Sequence, residues 1–81
     1  MLSPTNRKTS DLRKMLEQVG YLFVRQAGSH LYYKHPSKQS IIILPDHGSR
    51  GLPAAITASI LKNIISSGVA TESEVQKAFK R

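Results

Sequence analysis

Apolar residues recur along this chain with two different periods, and the change of period divides it into elements. Leu12, Met15, Leu16 and Val19 fall at i, i+3, i+4 and i+7, which makes one stripe on a helix. Ser10 stands where an N-cap belongs, Asp11 suits the positive end of the helix dipole, and Gly20 suits a left-handed C-terminal cap. The pattern then shortens. Tyr21 to Gln26 is aromatic and β-branched, as a strand requires. Ala27-Gly28-Ser29 is a short turn, and His30 to His35 resumes the strand pattern, so the two runs form a β-hairpin. Pro36 to Gln39 is a second turn. Ser40 to Leu44 is a third strand, apolar on both faces and therefore expected in a central or well-covered position, and Pro45 ends it.

Helical spacing returns after an exposed loop, Asp46 to Gly51, that carries two glycines and no periodic apolar residue. Pro53 fits the first turn of a second helix, with Ile56, Ile60, Leu61, Ile64 and Ile65 as its apolar stripe and Gly68 at its close. Thr71-Glu72-Ser73-Glu74 has capping-box spacing, and Val75, Ala78 and Phe79 edge the short helix that follows. The order is α-β-β-β-α with a short C-terminal helix. Three antiparallel strands in a meander, with two amphipathic helices on one face, make a two-layer α+β sandwich of double-stranded-RNA-binding-like order. The expected boundaries are a flexible basic arm over residues 1–8, a core over 9–68 and a helical appendix over 69–81, all in one domain.

Size and charge narrow the function classes. A chain of 81 residues has one modest core, so a site on it is shallow and suits a polymer better than an enclosed metabolite. There is no cysteine, which excludes disulfides, thiol catalysis and zinc-finger ligation. Apolar runs such as Ile41 to Leu44 are far too short to span a membrane, and residues 1–8 lack the apolar stretch of a secretory signal, so the chain reads as cytoplasmic with no membrane partner. Twelve Lys and Arg against five Asp and Glu give a formal charge of +7, a field that attracts polyanions. From Tyr21 to Arg50 the only acid is Asp46, set against Arg25, Lys34, Lys38 and Arg50, and all three histidines lie in the same stretch. An anionic ligand belongs there.

Strand parity sorts the candidates. His30, Tyr32 and Lys34 share one face of the second strand, while Leu31, Tyr33 and His35 share the other. With Leu31 and Tyr33 turned to the helices, an imidazole, a phenol and an ammonium stand in a row on the open side. RNA is the substrate on which a histidine works without a metal, because its 2′-hydroxyl is an internal nucleophile beside the scissile phosphorus. Imidazole serves as base or acid, Lys34 or Arg25 as charge stabiliser, and backbone N–H groups of Gly28 and Ser29 as phosphate donors. DNA lacks that nucleophile and is not expected as a substrate. Each residue also has a plainer role: His30 as a surface residue, Asp46 as a loop cap, Tyr32 as a strand former, and His35 as a structural neighbour of Pro36. His47 is either a second catalytic group or a turn residue. No pair of histidines has helical ligand spacing, so neither a metal nor another cofactor is expected.

Four blocks, in order, resemble the HicA family of type II toxins: Leu16-Glu17-Gln18-Val19-Gly20-Tyr21, Val24-Arg25-Gln26-Ala27-Gly28-Ser29-His30, Tyr33-Lys34-His35-Pro36, and Pro45-Asp46-His47-Gly48. The resemblance covers roughly Ser10 to Gly68. It implies a double-stranded-RNA-binding-like fold, an mRNA interferase activity that arrests translation, and His30 as the catalytic residue. Arg25, Gly28, Ser29, Tyr32, Lys34 and His47 are the accompanying RNA-binding candidates, and a HicB-like antitoxin is the implied protein partner. Two other readings stand beside it: a non-catalytic RNA-binding module, and an inactivated toxin relative that binds a partner. The second helix departs from the family, starting Pro53-Ala54-Ala55-Ile56-Thr57 without basic residues where many members carry a Gly-Thr-Leu-Arg-like start.

Overall fold

The computed structural model describes residues 7–48 and 50–80. Its elements follow in the order α1 (Thr9–Gln18), β1 (Leu22–Ala27), β2 (His30–Lys34), β3 (Ile41–Pro45), α2 (Ala54–Ser66) and α3 (Glu72–Phe79). The strands form one antiparallel meander, β1-β2-β3, so the expected α+β class and α-β-β-β-α order hold. Its core joins Leu12, Met15 and Leu16 of α1 to Leu31, Tyr33, Ile42 and Leu44 of the sheet and Ile60, Leu61 and Ile64 of α2. Val75 and Ala78 of α3 enter the same core, so the C-terminal helix is part of the packed body.

Several local expectations are corrected. Lys8, not Ser10, is the N-cap of α1, and Asp11 accepts the Lys8 N–H at 3.2 Å. Starting two residues earlier puts Thr9 on the buried side of the first turn, where it is 4% exposed. Of the expected arm, residues 1–6 lie outside the described residues, whereas Arg7 and Lys8 are part of the fold. The Arg7 carbonyl accepts the Leu52 N–H at 2.8 Å, its guanidinium stands 3.9 Å over the Phe79 ring, and Lys8 bridges Gly51. Tyr21 and His35 fall just outside the strands to which they were assigned.

The position of β3 is the larger correction. It is an edge strand, not a central one, and it alternates: Ile42 and Leu44 are buried while Ile41 and Ile43 are exposed. Apolar content on both faces therefore reflects an uncovered apolar sheet surface rather than two covers. β1 also departs from simple alternation. Phe23 opposes Tyr33 and Arg25 opposes Tyr32, so Val24 is an extra residue in the strand. The shift reverses parity within β1. Phe23 stands on the helix face with buried Tyr33, and Arg25 joins Tyr32 on the open one.

Two glycines have identifiable reasons. Gly20 has φ +99°, which strains any other residue, and a Cβ there would lie 3.0 Å from His35 Nε2, so the imidazole would have to give way by a few tenths of an ångström. Gly28 has φ +58° with open space around it; only the backbone conformation of the β1–β2 turn requires it.

Candidate functional site

The open sheet face has three rungs. Ala27, His30 and Pro45 form the first, Arg25, Tyr32 and Ile43 the second, and Leu22, Lys34 and Ile41 the third. His30 begins the middle strand and is exposed. The turn before it is braced by Gln26, whose side-chain amide donates to the Gly28 carbonyl at 3.0 Å. On the second rung the Arg25 guanidinium lies 4.3 Å from the Tyr32 ring centroid, and Tyr32 is half-buried. Such a stacked pair presents a flat, cationic platform. Lys34 is four residues beyond His30, roughly 14 Å along the strand at a strand's rise per residue. It therefore meets a different part of an extended ligand than His30 does. No strand contains a carboxylate.

His47 follows Pro45 of the first rung by two residues, in the loop after β3. The Asp46 N–H donates to the Ser29 carbonyl at 2.7 Å, which joins this loop to the turn that carries His30. Asp46 Oδ1 accepts the Gly48 N–H at 3.1 Å, so its carboxylate forms the turn. Thr9 Oγ1 donates to the Pro45 carbonyl at 3.0 Å and accepts the His47 N–H at 3.1 Å. Sequence reasoning missed Thr9 entirely. Its role depends on contacts made 36 and 38 residues away, which leave no local pattern. Ser49, within this loop, lies outside the described residues.

His35 belongs to the other end of the sheet. It is half-buried, meets the Tyr21 ring edge-on at 5.2 Å, and accepts the Ser37 N–H on Nδ1 at 3.2 Å. Next to it a buried chain runs from the Tyr21 hydroxyl to Ser40 Oγ and on to Asn63 Oδ1, and Asn63 donates to the Ile41 carbonyl. These contacts hold the β2–β3 turn against α2, and the plain structural role expected for His35 fits them. Among the described residues no cluster of three or more His, Asp or Glu is arranged to hold a metal ion, and no helix is long and apolar enough to cross a membrane.

The arrangement therefore offers one exposed imidazole on an acid-free face, a stacked Arg–Tyr platform beside it, and a second imidazole on an adjoining braced loop. No curated protein matches the chain. A family model described as the HicA toxin of bacterial toxin-antitoxin systems matches residues 9–64, which includes the open face, the Gly28-Ser29-His30 turn and the loop of His47. That match spans well over half of the chain, and the protein belongs to the HicA toxin family.

Proposed function

We propose that this toxin is an endoribonuclease that cleaves mRNA without a metal, with His30 as its catalytic residue. The observation that carries the reading is His30 itself: an exposed imidazole at the edge of an acid-free sheet face, one rung from the stacked Arg25–Tyr32 pair. A 2′-hydroxyl already adjacent to phosphorus needs only proton transfer and charge stabilisation, and these groups supply both. Arg25 neutralises charge near the scissile phosphate, while Lys34 meets a phosphate further along the strand. Tyr32 stacks on a base, and the N–H groups of Gly28 and Ser29 face the backbone of the ligand.

Membership in a toxin-antitoxin family implies an antitoxin. We infer a HicB-type partner that covers this same face, because Leu22, Ile41 and Ile43 are 60%, 59% and 50% exposed there among the cations. Apolar surface flanked by one sign of charge suits a protein partner with complementary acids.

The test is cleavage of labelled RNA by wild-type and His30→Ala protein with chelator present. Wild type is expected to leave a 2′,3′-cyclic phosphate and a 5′-hydroxyl, and the variant is expected to lose about 10²–10⁴-fold in rate while keeping its fold. RNA bound but never cut would support the non-catalytic module instead.

A further inference from the structure

We propose that Thr9 is a positioning residue that fixes the loop carrying His47, and that His47 is the second proton-transfer group beside His30. The proposal rests on the ribonuclease reading above and assigns its missing partner.

Thr9 is an unusual residue for its place. It is almost fully buried, and its hydroxyl, donating once and accepting once, is committed to the loop after β3. It does nothing for the start of its own helix, where Asp11 accepts the Lys8 N–H. The loop is held from three sides. Thr9 grips Pro45 and His47, the Ser29 carbonyl grips Asp46, and Arg7 and Lys8 hold the far end at Leu52 and Gly51. Within it, the Gly48 N–H binds Asp46 Oδ1 and the Arg50 N–H binds the His47 carbonyl. An exposed loop braced this heavily, ending beside a catalytic histidine, is built to present something. His47 is the chemically competent side chain it presents.

The backbone distances suit that task. Pro45 is the direct cross-strand partner of His30, and His47 follows two residues later. Adjacent antiparallel Cα atoms stand about 5 Å apart and two residues span at most about 7 Å, so the two histidines lie within about 12 Å by Cα. Imidazoles reaching inward from both positions can flank one phosphodiester.

The step balances with two such groups. One imidazole takes the proton from the 2′-hydroxyl as the O2′–P bond forms. The other, as imidazolium, gives its proton to O5′ as the P–O5′ bond breaks. The products are a 2′,3′-cyclic phosphate and a 5′-hydroxyl, nothing is oxidised or reduced, and exchange with water restores both imidazoles.

The experiment compares wild type, Thr9→Val, Thr9→Ser, His30→Ala, His47→Ala and the Thr9→Val/His47→Ala double variant in single-turnover cleavage and in RNA affinity. Val keeps the shape of Thr and removes the hydroxyl; Ser keeps the hydroxyl. His47→Ala is expected to lose about 10²–10⁴-fold in rate. Thr9→Val is expected to lose about tenfold or more in rate with affinity held within about threefold, and Thr9→Ser to stay near wild type. In the His47→Ala background, removing the Thr9 hydroxyl should slow cleavage no further, an interaction that general destabilisation does not mimic. A substrate with a 5′-bridging sulfur, whose thiolate leaves without a proton, should rescue one of the two histidine variants and not the other. Near-wild-type cleavage by His47→Ala, additive losses in the double variant, or rescue of both or neither histidine variant would overturn the proposal. Wild-type protein that leaves RNA intact would instead sink the ribonuclease reading, and amide exchange at His47 in Thr9→Val would still show whether the hydroxyl holds the loop.

Discussion

Tyr32 and Arg25 illustrate how single side chains divide the work on the open face. The ring is half-buried and fixed in the middle strand, and the guanidinium above it is held 4.3 Å from the centroid. Tyr32→Ala is expected to weaken single-stranded RNA binding by about 1–3 kcal/mol, roughly five- to 150-fold, as read by fluorescence titration. Arg25→Lys should not restore it fully, because an ammonium lacks the planar surface that stacks. A different residue tests the core. Thr57 is fully buried in α2 and its Oγ1 has no hydrogen-bond partner among the described residues. Thr57→Val removes an unsatisfied group at constant shape and is expected to raise the thermal midpoint, by about 1 kcal/mol of stability. At this scale the sequence was unevenly informative. His30, Tyr32 and Lys34 could be assigned to one face because alternation is local, and the structure gives them that face. Thr9 was illegible because both of its partners are set by tertiary packing.

Elements were legible wherever periodicity was long. All three helices and all three strands lie close to their expected spans, since apolar spacing reports backbone geometry directly. The covering of β3 was not legible: four consecutive apolar residues, Ile41 to Leu44, do not distinguish a strand covered twice from one whose apolar outer face stays open. The capping signal in the sequence marks the true start of α3, whereas in α1 Ser10 lies inside the helix that Lys8 caps. The Thr71 hydroxyl accepts the Glu74 N–H at 3.2 Å and the Glu74 carboxylate accepts the Thr71 N–H at 2.8 Å. Thr71→Ala is expected to cost about 1 kcal/mol, measured by chemical denaturation. The backbone hydrogen bond from Thr71, with the hydroxyl's help, holds the Glu74 carboxyl below the usual carboxylate range. Glu74 thus binds a proton less readily when folded than when unfolded. Its contribution is fully present above the unfolded value and is lost as pH falls through the lower folded one. The protection factors of α3 amides, corrected for intrinsic exchange at each pH, should accordingly fall on acidification in wild type, and do so much less in Glu74→Gln.

The whole molecule presents two unlike surfaces, a helical side and an open sheet with cations, tyrosine and bare isoleucine. Its charge of +7 favours polyanions, and among the described residues only Arg25 and Lys34 are cations on the rungs of the open face. If they set the phosphate contacts, log affinity for single-stranded RNA should fall with log salt at a slope of about −1.4, from about −0.7 per phosphate neutralised. A much steeper slope would mean that the ligand also wraps other basic surfaces. Ile43→Asp is expected to abolish antitoxin binding while leaving the melting temperature nearly unchanged, because Ile43 is half exposed in the isolated toxin. The extra residue in β1 carries a last consequence. Without Val24, Phe23 would still face Tyr33 and Arg25 would still face Tyr32, so a chain shortened there retains every cross-strand neighbour. What disappears is the break in regular pairing along an outer strand whose Leu22 and Phe23 are exposed. A straight, apolar border is a template for the same border of another molecule, and the irregular pairing at residue 24 makes this edge a poorer one.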